Sequence, residues 1–352
     1  MTDGRSVLWW GRFDEHYSRN RILRAAFEAL GWQLRSFHPR LSLAGDVEAV
    51  LRGVTTPDLV FVPCFRQRDL AAAARYARRV KRPLLFDPLI SAWDKQVFER
   101  AKFAPGSAAS LRLLRTERRL FQSADAVLAD TDAHAQFFFE TLGVARDHLH
   151  VVPVGAEEQV FAPQPWPTAD QPLEALFFGS FIALQGPQTI VEAARVYQGP
   201  PLRITLLGAG PLRAACEQAA RGLTNVFLED WLPYERLPAR IGRAHIVLGV
   251  FGMSRKTARV IPNKVFQGMA CARPIVTTGA PAIAPFATGA QSGIRLVAPG
   301  DAAALASALA QLASAPALLP DTGAQARATF EKYFSAATIR QRLVNALAGI
   351  GL

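Results

Sequence analysis

Cysteine is scarce in this chain. Cys64, Cys216 and Cys271 are the only three in 352 residues. They lie far apart, with no C-x-x-C spacing, which argues against a disulfide framework or a cysteine zinc site and favours a reducing compartment. All three read as small buried hydrophobes. No signal peptide is expected: the opening MTDGRSVLWWG is too short and too polar before its apolar run. Long apolar runs are also few. The longest uncharged stretch, residues 302–320, is mostly Ala and Leu broken by Ser, Gln and Pro316, and reads as a soluble amphipathic helix, not a membrane span. Acidic residues are outnumbered, 29 against 40 basic ones, for a net charge of +11 and a pI of about 10.2. The excess is spread along both halves. It favours anionic partners such as phosphates or a membrane surface. No basic face with interleaved aromatics stands out, so nucleic acid is not expected as a partner.

Half of the residues are hydrophobic and a fifth are charged, a globular balance with enough apolar material for two ordinary cores. Short β-rich runs alternate with helical patterns. In the first half the runs are SVLWWG, WQLRSFH, DLVFVPC, PLLFDP, DAVLAD and HVVPVG, with helices expected near 19–30, 67–81, 111–122 and 132–142. Residues 162–172, APQPWPTADQP, hold four prolines and read as an interdomain linker. A second series follows: LEALFFGS, LRITLLGAG, NVFLEDWLP, HIVLGV, PIVTTG and IRLVAPG. Helices are expected near 187–197, 211–220, 234–242 and 263–272, then over 301–314 and from 322 to 350. Buried strands separated by helices predict two α/β domains with doubly wound parallel sheets, whose ligands bind at the carboxyl ends of the strands.

The β→α turns therefore hold the candidates. The stretch ARVIPNKVFQGMACARPIVTTG places Arg259, Asn263 and Lys264 at the mouth of a helix. A helix start has unpaired N–H groups and the positive end of the macrodipole, so with Lys256 nearby it reads as an anion site. Gln267 lies one turn further on. GVFG ends a strand, with Gly252 where backbone approaches a ligand; Gly208 and Gly210 form a tight turn, and Gly179, Ser180 and Gly186 flank another. In the first half Ser18 reads as an N-cap, with His16 and Arg19 at the same turn. His16, Asp87 and Asp94 are the candidates for moving a proton. The Asp130-Thr131-Asp132 run reads as a helix cap rather than a metal motif, and His134 as a surface residue. Residues 98–121 mix Arg100, Lys102, Arg112, Arg115, Arg118 and Arg119 with Leu111, Leu114 and Phe121. That pattern fits either an ordinary packed helix or one lying on an anionic leaflet.

Taken together, LFFGSFIALQG, ITLLGAGPL, VFLEDWLPYERLP, VLGVFGMSRKTARVIPNKVFQGMACARPIVTTGAPA and LVAPGDAAALA resemble the nucleotide-binding domain of family 4 glycosyltransferases. HYSRNRIL, LLFDPLISAWDK, ADAVLADTDAHAQFF and VVPVGAEEQVFAP extend the resemblance through the first half. It implies the GT-B fold: two Rossmann-like domains facing across a cleft, residues 1–165 for the acceptor and 170–335 for the donor, with 336–352 as a helix returning to the first domain. It implies a retaining enzyme, cytoplasmic or peripheral at the cytoplasmic face of a membrane, that needs no metal and no cofactor. A sugar would pass from a nucleotide-sugar donor to a glycan or lipid-linked acceptor. The family's Glu-x7-Glu pair falls on Arg259 and Gln267, and its Arg/Lys pair on Ser180 and Gln185, so all four donor positions differ. Donor contacts then pass to Gly179, Ser180, Gln185, Gly208, Gly210, Gly252, Lys256, Arg259, Asn263, Lys264 and Gln267. Lys264 also stabilises the leaving diphosphate, and His16, Arg19 and Asp94 meet the acceptor. The alternatives are a nucleotide-sugar epimerase or hydrolase on this fold, or a degenerate binding protein.

Overall fold

A computed structural model describes residues 4–168, 171–289 and 291–352. The chain divides into two compact units, Met1–Val154 with Ala336–Leu352, and Gly155–Ser335.

The first unit runs β1 (Ser6–Trp10), α1 (Ser18–Ala29), β2 (Gln33–Phe37), α2 (Gly45–Leu51), β3 (Leu59–Val62), α3 (Leu70–Val80), β4 (Leu84–Phe86), α4 (Ala92–Asp94), α5 (Ala108–Phe121), β5 (Ala126–Ala129), α6 (Asp132–Leu142) and β6 (Leu149–Val151). Its six parallel strands order β2-β1-β3-β4-β5-β6. β1 is buried along its whole length, because helices cover both faces of the sheet. Its side chains alternate between them. Val7 and Trp9 join Phe27, Phe61 and Leu128 on one face, and Leu8 and Trp10 join Val60, Tyr76 and Phe86 on the other.

The second unit runs β7 (Glu174–Phe178), α7 (Pro187–Val196), β8 (Arg203–Leu207), α8 (Arg213–Ala219), β9 (Val226–Glu229), α9 (Leu237–Gly242), β10 (Ile246–Leu248), α10 (Asn263–Ala270), β11 (Ile275–Thr278), β12 (Ile294–Val297), α11 (Ala302–Ala313) and α12 (Leu319–Tyr333). Its parallel sheet orders β12-β11-β10-β7-β8-β9. The order reverses at β7 and β10, and in such sheets ligands sit beyond the strand ends at that reversal. The last helix, α13 (Ala336–Gly349), belongs to the first unit. Its Ile339, Leu343, Ala346 and Leu347 complete the core beneath Trp9.

Several expectations change. The chain passes between units at Val154–Gly155, so the proline-rich stretch belongs to the second unit. Arg273, with no exposed surface, donates to the carbonyls of Gln164 and Pro165 and to those of Gly242, Ala244, Cys271 and Ala272. Burial lowers its pKa to about 10. Proline's missing N–H leaves carbonyls in need of donors, and this guanidinium supplies them, so the segment is clamped at 164–166. Ala169 and Asp170 of that stretch lie outside the described residues. The helix expected over 322–350 is broken at Phe334–Ser335, where the chain changes units. α2 was not anticipated. Ser18 opens α1 as its first residue; the cap position is Tyr17, without a side-chain bond. Among the described residues no single helix is long and apolar enough to cross a membrane. α11 buries Leu305, Ala306, Ala308, Leu309 and Ala313 in the second core. All three cysteines are free and buried, and burial raises the Cys216 and Cys271 thiols to about 11 and about 12.

Candidate functional site

Two loops flank the reversal point of the second sheet. Residues 179–186 follow β7 and lead into α7; residues 249–262 follow β10 and lead into α10. Their backbones interlock. A Cβ on Gly252 would lie 2.3 Å from the Leu184 carbonyl oxygen, and one on Gly208 would lie 2.1 Å from that of Gly179. Gly186 and Gly210 likewise face neighbouring backbone, at Phe251–Gly252 and Phe181. Glycines expected to admit a ligand thus admit one another. Gly252→Ala is expected to lower stability by about 1–3 kcal/mol through overpacking, read as a fall in the denaturant midpoint.

Gly179 is different, because a Cβ there would meet side chains instead, 2.8 Å from the Gln185 amide oxygen and 3.1 Å from the Lys264 ammonium. Lys264 occupies the first turn of α10. Its side chain crosses to the end of β7, where Nζ donates to Gln185 Oε1 at 2.6 Å and stands 3.6 Å from the centre of the Phe177 ring. Only 4% of the residue is exposed, and burial pushes its pKa well below the usual 10.5. One amide and one aromatic face replace the water an ammonium would otherwise hold, so the group is short of a negative partner. No side chain caps the start of α10, so the positive end of its dipole adds to the same field. Ser180 lies half-buried in the first loop; Lys256, Arg259 and Asn263 lie half-buried along the second and at the helix start.

Gln267, one turn along α10, is 5% exposed. Its Nε2 donates to the Tyr234 hydroxyl at 3.5 Å, and that hydroxyl donates to the Glu157 carboxylate. Neither Tyr234 nor Glu157 was singled out in the sequence. They come from separate loops, and nothing in WLPYE or GAEEQ signals the meeting.

In the first unit Arg19 and Asp87 form a buried fork. Arg19 Nε and Nη2 donate to the two carboxylate oxygens at 3.0 and 2.9 Å, and Nη1 to the carbonyls of Val152 and Pro153 at 2.8 and 2.7 Å. With 0% and 1% exposure the pair ties α1 to the ends of β4 and β6. This corrects the acceptor role expected of Arg19 and the proton-transfer role expected of Asp87: neither has surface left to offer. His16 is exposed, its N–H bonded to Asp14 Oδ1. Asp94 is 7% exposed on the short α4, whose start Ser91 caps. That turn is held by Glu117 of α5, which accepts from the Ser91 hydroxyl and from the Ala92 and Trp93 N–H groups at 2.6–2.8 Å. Burial pushes the Glu117 carboxyl up. α5 is a packed helix: Phe121 joins the core, with Leu114 and Leu120 against it. His134 is not on the surface. It is 4% exposed, with Nδ1 2.6 Å from Asp130 Oδ1, while Thr131 caps α6. Phe65 and Leu89, at neighbouring loop starts, take left-handed backbone with φ of 65° and 57°, a strain that collects at functional edges. Among the described residues no three His, Cys, Asp or Glu side chains gather as a metal-ligand set.

Comparison with known proteins matches residues 9–155 to the glycosyl transferase 4-like domain and residues 172–315 to glycosyl transferases group 1. No curated protein matches by sequence. Among solved structures, Anabaena HepE in complex with UDP aligns with a TM-score of 0.72 at 15% identity, over 98% of this chain and 99% of that one. Sucrose-phosphate synthase from Thermosynechococcus elongatus aligns with a TM-score of 0.73 at 16% identity, over 98% of each chain. The lipopolysaccharide outer core galactosyltransferase WaaB aligns with a TM-score of 0.70 at 13% identity, over 97% of this chain and 99% of that one. Two family models in order along the chain, and two six-stranded parallel sheets shared with these neighbours, place the protein among the family 4-like glycosyltransferases of GT-B fold.

Proposed function

We propose that this glycosyltransferase moves a sugar from a nucleotide-sugar donor to an acceptor hydroxyl on a glycan or a lipid-linked sugar, with retention and without a metal. The observation that carries the reading is the buried Lys264 ammonium at the sheet's reversal point, beside Gly179, Gln185 and the uncapped start of α10. A donor diphosphate there would give that charge its partner. In the transfer step the acceptor oxygen bonds the anomeric carbon as that carbon's bond to the phosphate oxygen breaks. The leaving diphosphate takes the proton and the negative charge. A fixed cation and oriented amides stabilise that charge without reorganising. Lys256 and Arg259 guard the approach, and His16 and Asp94 orient the acceptor. HepE structures with UDP and with UDP-glucose support the donor class. The test is a thermal-shift screen across nucleoside diphosphates, followed by turnover with and without acceptors. A shift with one diphosphate and acceptor-dependent donor consumption are expected. Donor consumption that no acceptor accelerates would instead indicate a hydrolase or epimerase.

Gln267 takes the place where the family carries Glu, and its neighbours supply a reason. Tyr234 has one hydroxyl proton, already given to Glu157, so the side chain at 267 must donate, and an amide can where a carboxylate cannot. Gln267→Glu is therefore expected to weaken diphosphate binding by about tenfold, since a carboxylate facing that oxygen loses roughly 1–2 kcal/mol. Adding Glu157→Gln should restore it. Calorimetric Kd values for the two variants check this; tighter binding in Gln267→Glu alone would refute it.

A further inference from the structure

The segment around α2 is inverted relative to a soluble helix. Leu41, Leu43, Val47, Val50 and Leu51 are 68, 73, 55, 39 and 82% exposed, while Gly45 and Ala49 alone face inward. Single exposed apolar residues are ordinary; five within eleven residues are a patch. The local carboxylates do not interrupt it. Asp46 is held by Arg75 at 2.6 and 2.9 Å, and Glu48 pairs with Arg52 at 2.6 Å and accepts the Arg40 N–H at 2.7 Å. Arg75 also fixes the approach to α2, donating to the Leu43 carbonyl. Arg40 and Arg79 are exposed beside the patch, with Arg79 one turn beyond Arg75 on α3. The result is an apolar strip whose acids are neutralised, with cations at its rim.

We infer that this strip docks on an anionic lipid bilayer, its leucines and valines entering the boundary between headgroups and acyl chains and its arginines meeting lipid phosphates. This is the composition of an interfacial helix, and lipid of negative charge attracts a rim of this sign. The net charge of +11 acts in the same direction at longer range. A second copy of the chain fits less well, because a two-fold contact through the patch would bring the same arginines face to face. The inference concerns attachment, not transfer, and stands or falls separately from the donor site.

The test is co-sedimentation of the full chain with vesicles of phosphatidylcholine alone or with about a third phosphatidylglycerol. A basic protein adheres to anionic vesicles by charge alone, so the deciding variant keeps the charge: Leu43→Ser with Leu51→Ser. Binding to the anionic vesicles is expected, falling at least tenfold in this double variant and in Arg79→Glu, with melting temperatures unchanged. In Leu43→Trp, brominated acyl chains should quench the new indole. Absence of binding by the unaltered protein overturns the inference. So does binding that the double serine variant leaves intact, or a concentration-dependent dimer in sedimentation equilibrium that this variant dissolves.

Discussion

Lys264→Met is expected to lower turnover about a hundredfold, the usual cost of removing one charge-stabilising donor, and at the same time to raise the melting temperature of the ligand-free protein. The two effects have one cause. The ammonium sits beneath the surface with an amide oxygen and a ring for company, so the free protein bears the cost of burying it. Methionine keeps the unbranched stem and fills the same space. The pH dependence has a definite sign. Because burial lowers the folded pKa below 10.5, the folded state releases its proton before the unfolded chain does. The penalty is full below the folded pKa and shrinks as pH rises toward 10.5. The stability gap between variant and parent should therefore close with increasing pH. A bound diphosphate favours the charged form, so the diphosphate affinity of the parent, but not that of Lys264→Met, should weaken as pH rises toward 10.5. A variant that melts lower than its parent, or that binds the diphosphate with unchanged affinity, would remove Lys264 from the site.

The sheets were legible because their strands are local apolar runs. Eleven of the twelve described strands fall within runs read from the sequence, β6 starts one residue before its run, and α6 was placed to the residue. The site was legible only in part. Asn263 and Lys264 announce a helix start, but the sequence cannot show that Lys264 turns inward to β7, because that depends on β10 lying beside β7. Arg19 and Asp87 are 68 residues apart, and each alone reads as a polar group at a turn. Glu117 stands among exposed arginines and looks like one more surface charge, yet its carboxylate organises the 91–93 turn. Proline content marked residues 162–172 as a linker; the guanidinium that clamps residues 164–166 lies at 273. In each case the missing information was a partner distant in sequence.

The second large effect concerns that buried fork. Asp87→Ala is expected to destabilise the protein by about 3–5 kcal/mol, as breaking a buried pair from one side does. Burial opposes the Arg19 charge, but Asp87 outweighs it and holds the guanidinium's pKa above the ordinary value. Without the carboxylate, Arg19 keeps its bonds to Val152 and Pro153 and loses its counter-charge in a place water does not reach. Arg19→Met added to Asp87→Leu should recover much of the loss, since an apolar pair of similar volume often replaces a buried ion pair at little cost. Denaturant unfolding measures both. The same series separates support from chemistry: the double variant, once folded, should turn over at a rate near the parent's, whereas Asp94→Asn should slow turnover with little change in the unfolding midpoint. If the double variant folded well and were inactive, Asp87 would return to the reaction, and the strut that joins α1 to the strand ends would have to be counted as part of the catalytic machinery.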